Sequence, residues 1–172
     1  MEQAITSRAN ERVKYAGRLA TSAAFRAQEG LFFAEGARLC FDLAKMLPVK
    51  LAFYTERMLL ARPEVAHLAQ EGLLVSDGVA EKLGDTKTPQ GIFCLVHMPK
   101  ASLADMNAAT GVLLCENVGD PANVGAMIRS AAGLGLGGVV LSPGCADAFS
   151  PKALRASMGA VGRIPVVSSP VD

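Results

Sequence analysis

The sequence predicts an α/β protein of two small domains, and three observations carry that expectation. Short apolar runs alternate with stretches of helical periodicity along nearly the whole chain. The 172 residues are 51% apolar with positive mean hydropathy, enough to fill a core. Between two apolar strands, residues 99–110 collect Pro, Lys, Ser, Asp, Asn and Thr, the composition of a boundary. The fold class is therefore α/β: a small N-terminal α/β domain over 1–99, a linker over 100–110, and the first half of a parallel-sheet domain over 111–172.

Taken in order, residues 9–25 favour a helix, since Val13, Ala16, Leu19 and Ala20 form one stripe while Arg12, Lys14 and Arg18 occupy other faces. A strand over 31–34, a helix over 37–46, a strand over 49–54, helical residues over 62–70 and a strand over 73–75 follow. Asp77 can cap a short helix to Leu83, which Gly84 stops before a strand over 91–97. Past the boundary come strand 112–115, helix 121–134, strand 138–141, helix 151–158 and strand 164–167. Strands alternating with helices imply a parallel sheet covered on both faces. Three strands make only half of a doubly wound sheet, and the last runs directly to Asp172, so the second domain reads as truncated and marginal alone.

The net charge of +1 hides an uneven distribution. Residues 1–30 carry five Lys/Arg against three acids, 31–120 eight against eleven, and 121–172 four against two, so the two ends are the basic parts. Four dispersed cysteines (Cys40, Cys94, Cys115, Cys145) with no C-x-x-C pair and only two histidines argue against a metal site and for buried, inert thiols. No apolar run reaches the roughly 18 residues of a membrane helix, and the N-terminus does not read as a secretory signal. A cytoplasmic location is expected.

Gly133, Gly135 and Gly138 satisfy G-x-G-x-x-G but close a helix before a strand, the reverse of a dinucleotide fingerprint, which sets aside a nicotinamide-dependent oxidoreductase. The informative stretch is Asn117-Val-Gly-Asp-Pro-Ala-Asn-Val-Gly-Ala-Met-Ile-Arg-Ser-Ala, which follows a buried strand and opens a helix. Asp120 suits the N-cap, Pro121 the first turn, and Val124, Met127, Ile128, Ala131 and Leu134 the core stripe. Asn123 and Arg129 are left over as candidate site residues. Arg129 should run back over Gly125 toward the helix start and form a phosphate-sized pocket with free backbone N–H groups there. The bland alternatives are an ion pair of Arg129 with Glu116 or Asp120, and local backbone bonding by Asn123.

Asp120, Pro121, Asn123, Gly125, Arg129, Ser130 and Ala131 together resemble the first motif of the SpoU/TrmH RNA 2′-O-ribose methyltransferases, of the SPOUT superfamily. Asn10-Glu-Arg-Val-Lys, Phe32-Phe-Ala-Glu-Gly-Ala-Arg-Leu and Thr86-Lys-Thr-Pro-Gln-Gly-Ile resemble the substrate-binding domain that many members carry. The resemblance implies an α/β-knot catalytic domain, a homodimer, and methyl transfer from S-adenosylmethionine to a ribose 2′-hydroxyl of rRNA or, second, tRNA. It casts Arg129 as a clamp on the target phosphate, since an arginine is a poor base, and Asn123 as orienting the same nucleotide. Arg12, Lys14, Arg18, Lys152 and Arg155 become candidates for RNA backbone contacts, and Thr86-Lys-Thr-Pro-Gln-Gly either touches RNA or simply turns into a strand. The family's second and third motifs, which build the knot and most of the cofactor pocket, are expected beyond Asp172. The chain by itself is thus expected to be inactive, and the alternative function is a non-catalytic RNA-binding protein.

Overall fold

A computed structural model describes residues 4–86 and 88–170 and divides the chain into two compact units, Met1–Met98 and Pro99–Asp172. Lys87 of the Thr86–Gly91 motif and Asp172 lie outside the described residues.

The first unit opens with α1 (Glu11–Thr21), whose first turn is capped by the Asn10 side chain accepting from the Arg12 N–H. The one helix expected over 9–25 is two. Ser22 ends α1 with its N–H on the Arg18 carbonyl and starts α2 (Ala23–Glu29) with its hydroxyl on the Phe25 N–H. Arg26, buried, donates to the Leu19 carbonyl at 2.6 Å and so satisfies a carbonyl at the end of α1. Then come β1 (Leu31–Glu35), α3 (Ala37–Ala44), β2 (Val49–Thr55), α4 (Glu56–Ala61), β3 (Glu71–Val75), α5 (Asp77–Leu83) and β4 (Ile92–His97). Helix α4 was not expected, and the helical stretch over 62–70 is a single 3-10 turn, Pro63–His67. Ser76, one residue before the expected Asp77, caps α5 by accepting from the Val79 N–H.

The strand order is β1-β4-β2-β3, and only β2 and β3 are parallel; β4 runs antiparallel to both neighbours. A wholly parallel reading therefore fails in this unit. Alternating elements carry no direction, and an apolar run such as Ile92-Phe-Cys-Leu-Val fits any central position. β1 is buried throughout, and Phe33 stacks on Phe93 across the register at 5.7 Å between ring centres. Val13, Ala16 and Leu19 of α1 complete this core with Leu51, Phe53 and Leu95.

In the second unit residues 99–110 are not a free linker. They wind into 3-10 turns at Leu103–Asp105 and Ala108–Thr110, and Asn107 bridges to Gly137. β5 (Leu113–Cys115), α6 (Pro121–Gly133), β6 (Val139–Leu141), α7 (Pro151–Ser157) and β7 (Val166–Ser168) follow, with the three strands parallel in the order β5-β6-β7. Gly135 takes a left-handed φ of 73° as the chain leaves α6, so these glycines do close a helix. Cys115 Sγ lies 3.6 Å from Met127 Sδ, which fixes the sheet face that meets α6. Leu114, Val140 and Val167 stand in register on the other face, and Leu114 is 50% exposed. The sheet is therefore parallel, as expected, but α6 packs on one face, and on the other Leu114 is exposed while Val140 and Val167 are half-buried. Among the described residues no helix is long and apolar enough to cross a membrane.

Candidate functional site

The C-terminal edge of the parallel sheet is where ligands of open α/β sheets collect, and two loops are stitched together there. Asn117, in a left-handed conformation with φ 53°, donates its N–H to the Ser142 hydroxyl at 3.0 Å. Cys145 Sγ accepts the Val118 N–H at 3.3 Å and donates to the Cys115 carbonyl at 3.2 Å. Ala146 N–H closes the seam on the Val118 carbonyl at 2.8 Å. Cys145 is half-buried and bridges two strand ends, unlike the buried Cys40, Cys94 and Cys115, so the burial expected of the four thiols holds for three. Burial and the neighbouring Cys145 push the Cys115 thiol up, and burial does the same for Cys40.

Both helices that leave this edge begin alike, with a side-chain cap followed by proline. Asp120 accepts from the Ala122 N–H and Ser150 from the Ala153 N–H, with Pro121 and Pro151 in the first turns. Lys152 Nζ reaches Asp120 Oδ1 at 2.9 Å and ties the two helix starts together. That bond and the Ala122 N–H hold the Asp120 carboxyl below its ordinary range. A carboxylate thus already occupies the start of α6.

Gly125 is buried, but not as a channel for Arg129. A Cβ there would stand 2.3 Å from the Ala153 carbonyl oxygen and 2.7 Å from the Ala156 Cβ, so its missing side chain is filled by the backbone of α7. Arg129, two turns along α6, is exposed and its Nη1 donates to Met158 Sδ at 3.3 Å. The expected phosphate pocket at the helix start is therefore not built: Asp120 sits there, and Arg129 is directed to the far end of α7, where Met158 takes a left-handed φ of 52°. The bland alternatives fail as well. Asp120 pairs with Lys152 instead of Arg129, and the exposed Asn123 side chain makes no hydrogen bond to another described residue. Among the described residues Asn123 and Arg129 are neither caps nor ion-pair partners, and a guanidinium held there only by a thioether keeps most of its donors for an incoming anion.

The cations proposed from sequence are placed differently. Arg12 pairs with Glu71 at 2.5 Å, Lys14 with Glu11 at 2.7 Å, and Arg18 stacks over the Phe25 ring at 3.8 Å. Lys152 is bound to Asp120, and Arg155 is half-buried in the last turn of α7. Sequence reasoning missed Ser142 and Cys145, whose local signal is the Ser-Pro-Gly turn after β6, and Met158, which closes α7. A cavity of about 810 Å³ belongs to the first unit, lined by Thr55, Arg57, Leu60 and Asp77 among others, and contains none of the candidate residues.

Residues 111–171 match the SpoU rRNA Methylase family, and residues 10–94 match the MRM3-like substrate binding domain. The chain is 36% identical over 155 residues to human rRNA methyltransferase 3, mitochondrial, covering 84% of this chain and 36% of that protein. It is 45% identical over 94 residues to a Bacillus subtilis 23S rRNA (guanosine(2553)-2′-O)-methyltransferase, covering 55% of this chain and 37% of that protein. The chain thus spans little more than a third of the length of these relatives. Among solved structures, an AdoMet-bound rRNA methyltransferase from Sinorhizobium meliloti superposes with a TM-score of 0.82 at 26% identity, over 96% of this chain and 64% of that one. An RNA 2′-O ribose methyltransferase superposes with a TM-score of 0.80 at 29% identity, over 98% of this chain and 66% of that one.

Proposed function

We propose that the chain, whose residues 10–94 match the MRM3-like substrate binding domain and 111–171 the SpoU rRNA Methylase family, is the RNA-recognising and target-positioning part of an rRNA 2′-O-ribose methyltransferase. The observation that carries this reading is the state of Asn123 and Arg129. Both stand exposed on α6, and among the described residues neither is used for capping or ion pairing. Arg129 presents a fixed positive fork to a phosphate and to charge that develops during transfer, while Asn123 offers an amide donor and acceptor to the same nucleotide.

S-adenosylmethionine is the methyl donor in this proposal, and it supplies the activated methyl group. The described residues do not by themselves make a seat for it. At the strand ends the Ser142 hydroxyl and the Cys145 thiol are engaged within the stitched loops. The 172-residue chain alone is expected to transfer no methyl group. Homodimerisation is part of the same proposal and fits the exposed Leu114 and Leu134; sedimentation velocity tests it. So is a reducing compartment, here the cytoplasm, which imaging of the tagged protein tests.

The decisive experiment reads ribose methylation by mass spectrometry on rRNA exposed to the gene's entire product. Arg129→Ala should lower the rate about a hundredfold or more, the scale for a lost transition-state donor, with RNA affinity little changed. Unchanged methylation in Arg129→Ala would remove the clamp role. RNA affinity with no methylation by the entire product would instead support a non-catalytic RNA-binding protein.

A further inference from the structure

A groove in the first unit lies between α1 and the sheet. Its volume is about 340 Å³, within the roughly 300–1,000 Å³ of small-molecule clefts. Leu51 and Leu95, register partners on β2 and β4, line it together with Tyr15 of α1. The rim is charged: Glu11, Arg12, Glu71 and Lys50. Arg12 and Glu71 neutralise each other, and Glu11 is matched by Lys14. Lys50 alone has no partner among the described residues.

Lys50 reaches that position because the strand is irregular there. Val49 pairs with Val96 and Leu51 with Leu95, so Lys50 is the extra residue of a bulge, exposed between two buried neighbours. Bulges re-aim a side chain and recur beside functional sites. Tyr15 is fixed as well: its ring meets Phe25 edge-on at 5.4 Å, and its hydroxyl donates to Glu29 at 2.6 Å. Burial and Glu29 push its pKa up to about 12, so it brings no negative charge to the groove.

An apolar floor, one anchored aromatic ring and one uncompensated cation are what an unstacked base and its phosphate require. The geometry points to this groove as a site for a single unpaired nucleotide of the RNA substrate, with the base against Tyr15 and Leu51 and the phosphate on Lys50. The inference rests on the RNA-binding reading above and adds to it a preference for unpaired RNA.

The test is fluorescence anisotropy of the 172-residue chain with two labelled probes, a short single-stranded oligouridylate and a blunt RNA duplex. Lys50→Ala and Tyr15→Leu should each weaken oligouridylate binding about tenfold, the scale of one lost stacking or phosphate contact, and leave the duplex unaffected. Lys45→Ala, on α3 and paired with Asp42, serves as the exposed control and should change neither. Lys50 is exposed, so its variant remains informative even if Tyr15→Leu fails to fold. Unchanged oligouridylate affinity in Lys50→Ala, or an equal loss on both probes, overturns the groove while leaving RNA binding intact. Wild-type chain that binds neither probe overturns the RNA reading itself and the groove with it.

Discussion

The two units use the same alphabet of short strands and helices but close their sheets to different degrees. In the first, β4 enters the middle of the sheet, β1 and β4 are almost wholly buried, and paired phenylalanines fill the space against α1. In the second, three strands of three residues each carry helices on one face and leave Leu114, Val140 and Val167 on the other. The difference teaches where each unit's stability comes from. The first rests on the sheet core, whereas the second rests on the contact between α6 and α7.

That comparison can be broken most sharply at its strongest point. Phe93→Ala should destabilise the first unit by about 3–5 kcal/mol, the range for a fully buried aromatic, measured by urea unfolding. Gly125→Ala should cost the second unit about 1–3 kcal/mol, because the new methyl meets the α7 backbone; hydrogen exchange on α6 and α7 reads it. A neutral Gly125→Ala would mean that the helix pair does not hold this unit. Acid should act next. The Asp120 carboxyl has a lowered folded-state pKa, so its contribution is present at neutral pH and is lost only as pH falls below the ordinary carboxylate value of about 3.9. NMR titration of the α6 amides should show this loss in the wild type and not in Asp120→Asn. Leu114→Ser should be the smallest change, within about 0.5 kcal/mol, since half of the leucine is already in water. A large loss there would show that the open face is covered in solution.

Elements were more legible in the sequence than their partners. The stripe of Val13, Ala16 and Leu19 and the run Ile92-Phe-Cys-Leu-Val gave a helix and a strand because burial leaves a period. The direction of β4 left none, since strand polarity is decided by tertiary pairing. Ser22 carried a readable cap signal inside an apparently continuous helix, and the apolar stripe masked it. At the site, Asn123 and Arg129 could be found by elimination, because Asp120 and the apolar stripe accounted for their neighbours. Gly125 was misassigned: an absent side chain says that something approaches closely, not what. Ser142 and Cys145 stayed hidden because their bonds join loops about 25 residues apart in sequence.

The seam between those loops has a practical side. Cys145 is half-buried while the other three thiols are buried, and its sulfur is held by a loop N–H and a strand carbonyl. Alkylation of the native protein should therefore proceed at one cysteine first, at a rate gated by how often the two loops part. The chain carries its own chemical clock for the opening of its sheet edge, readable by mass spectrometry without any engineered label.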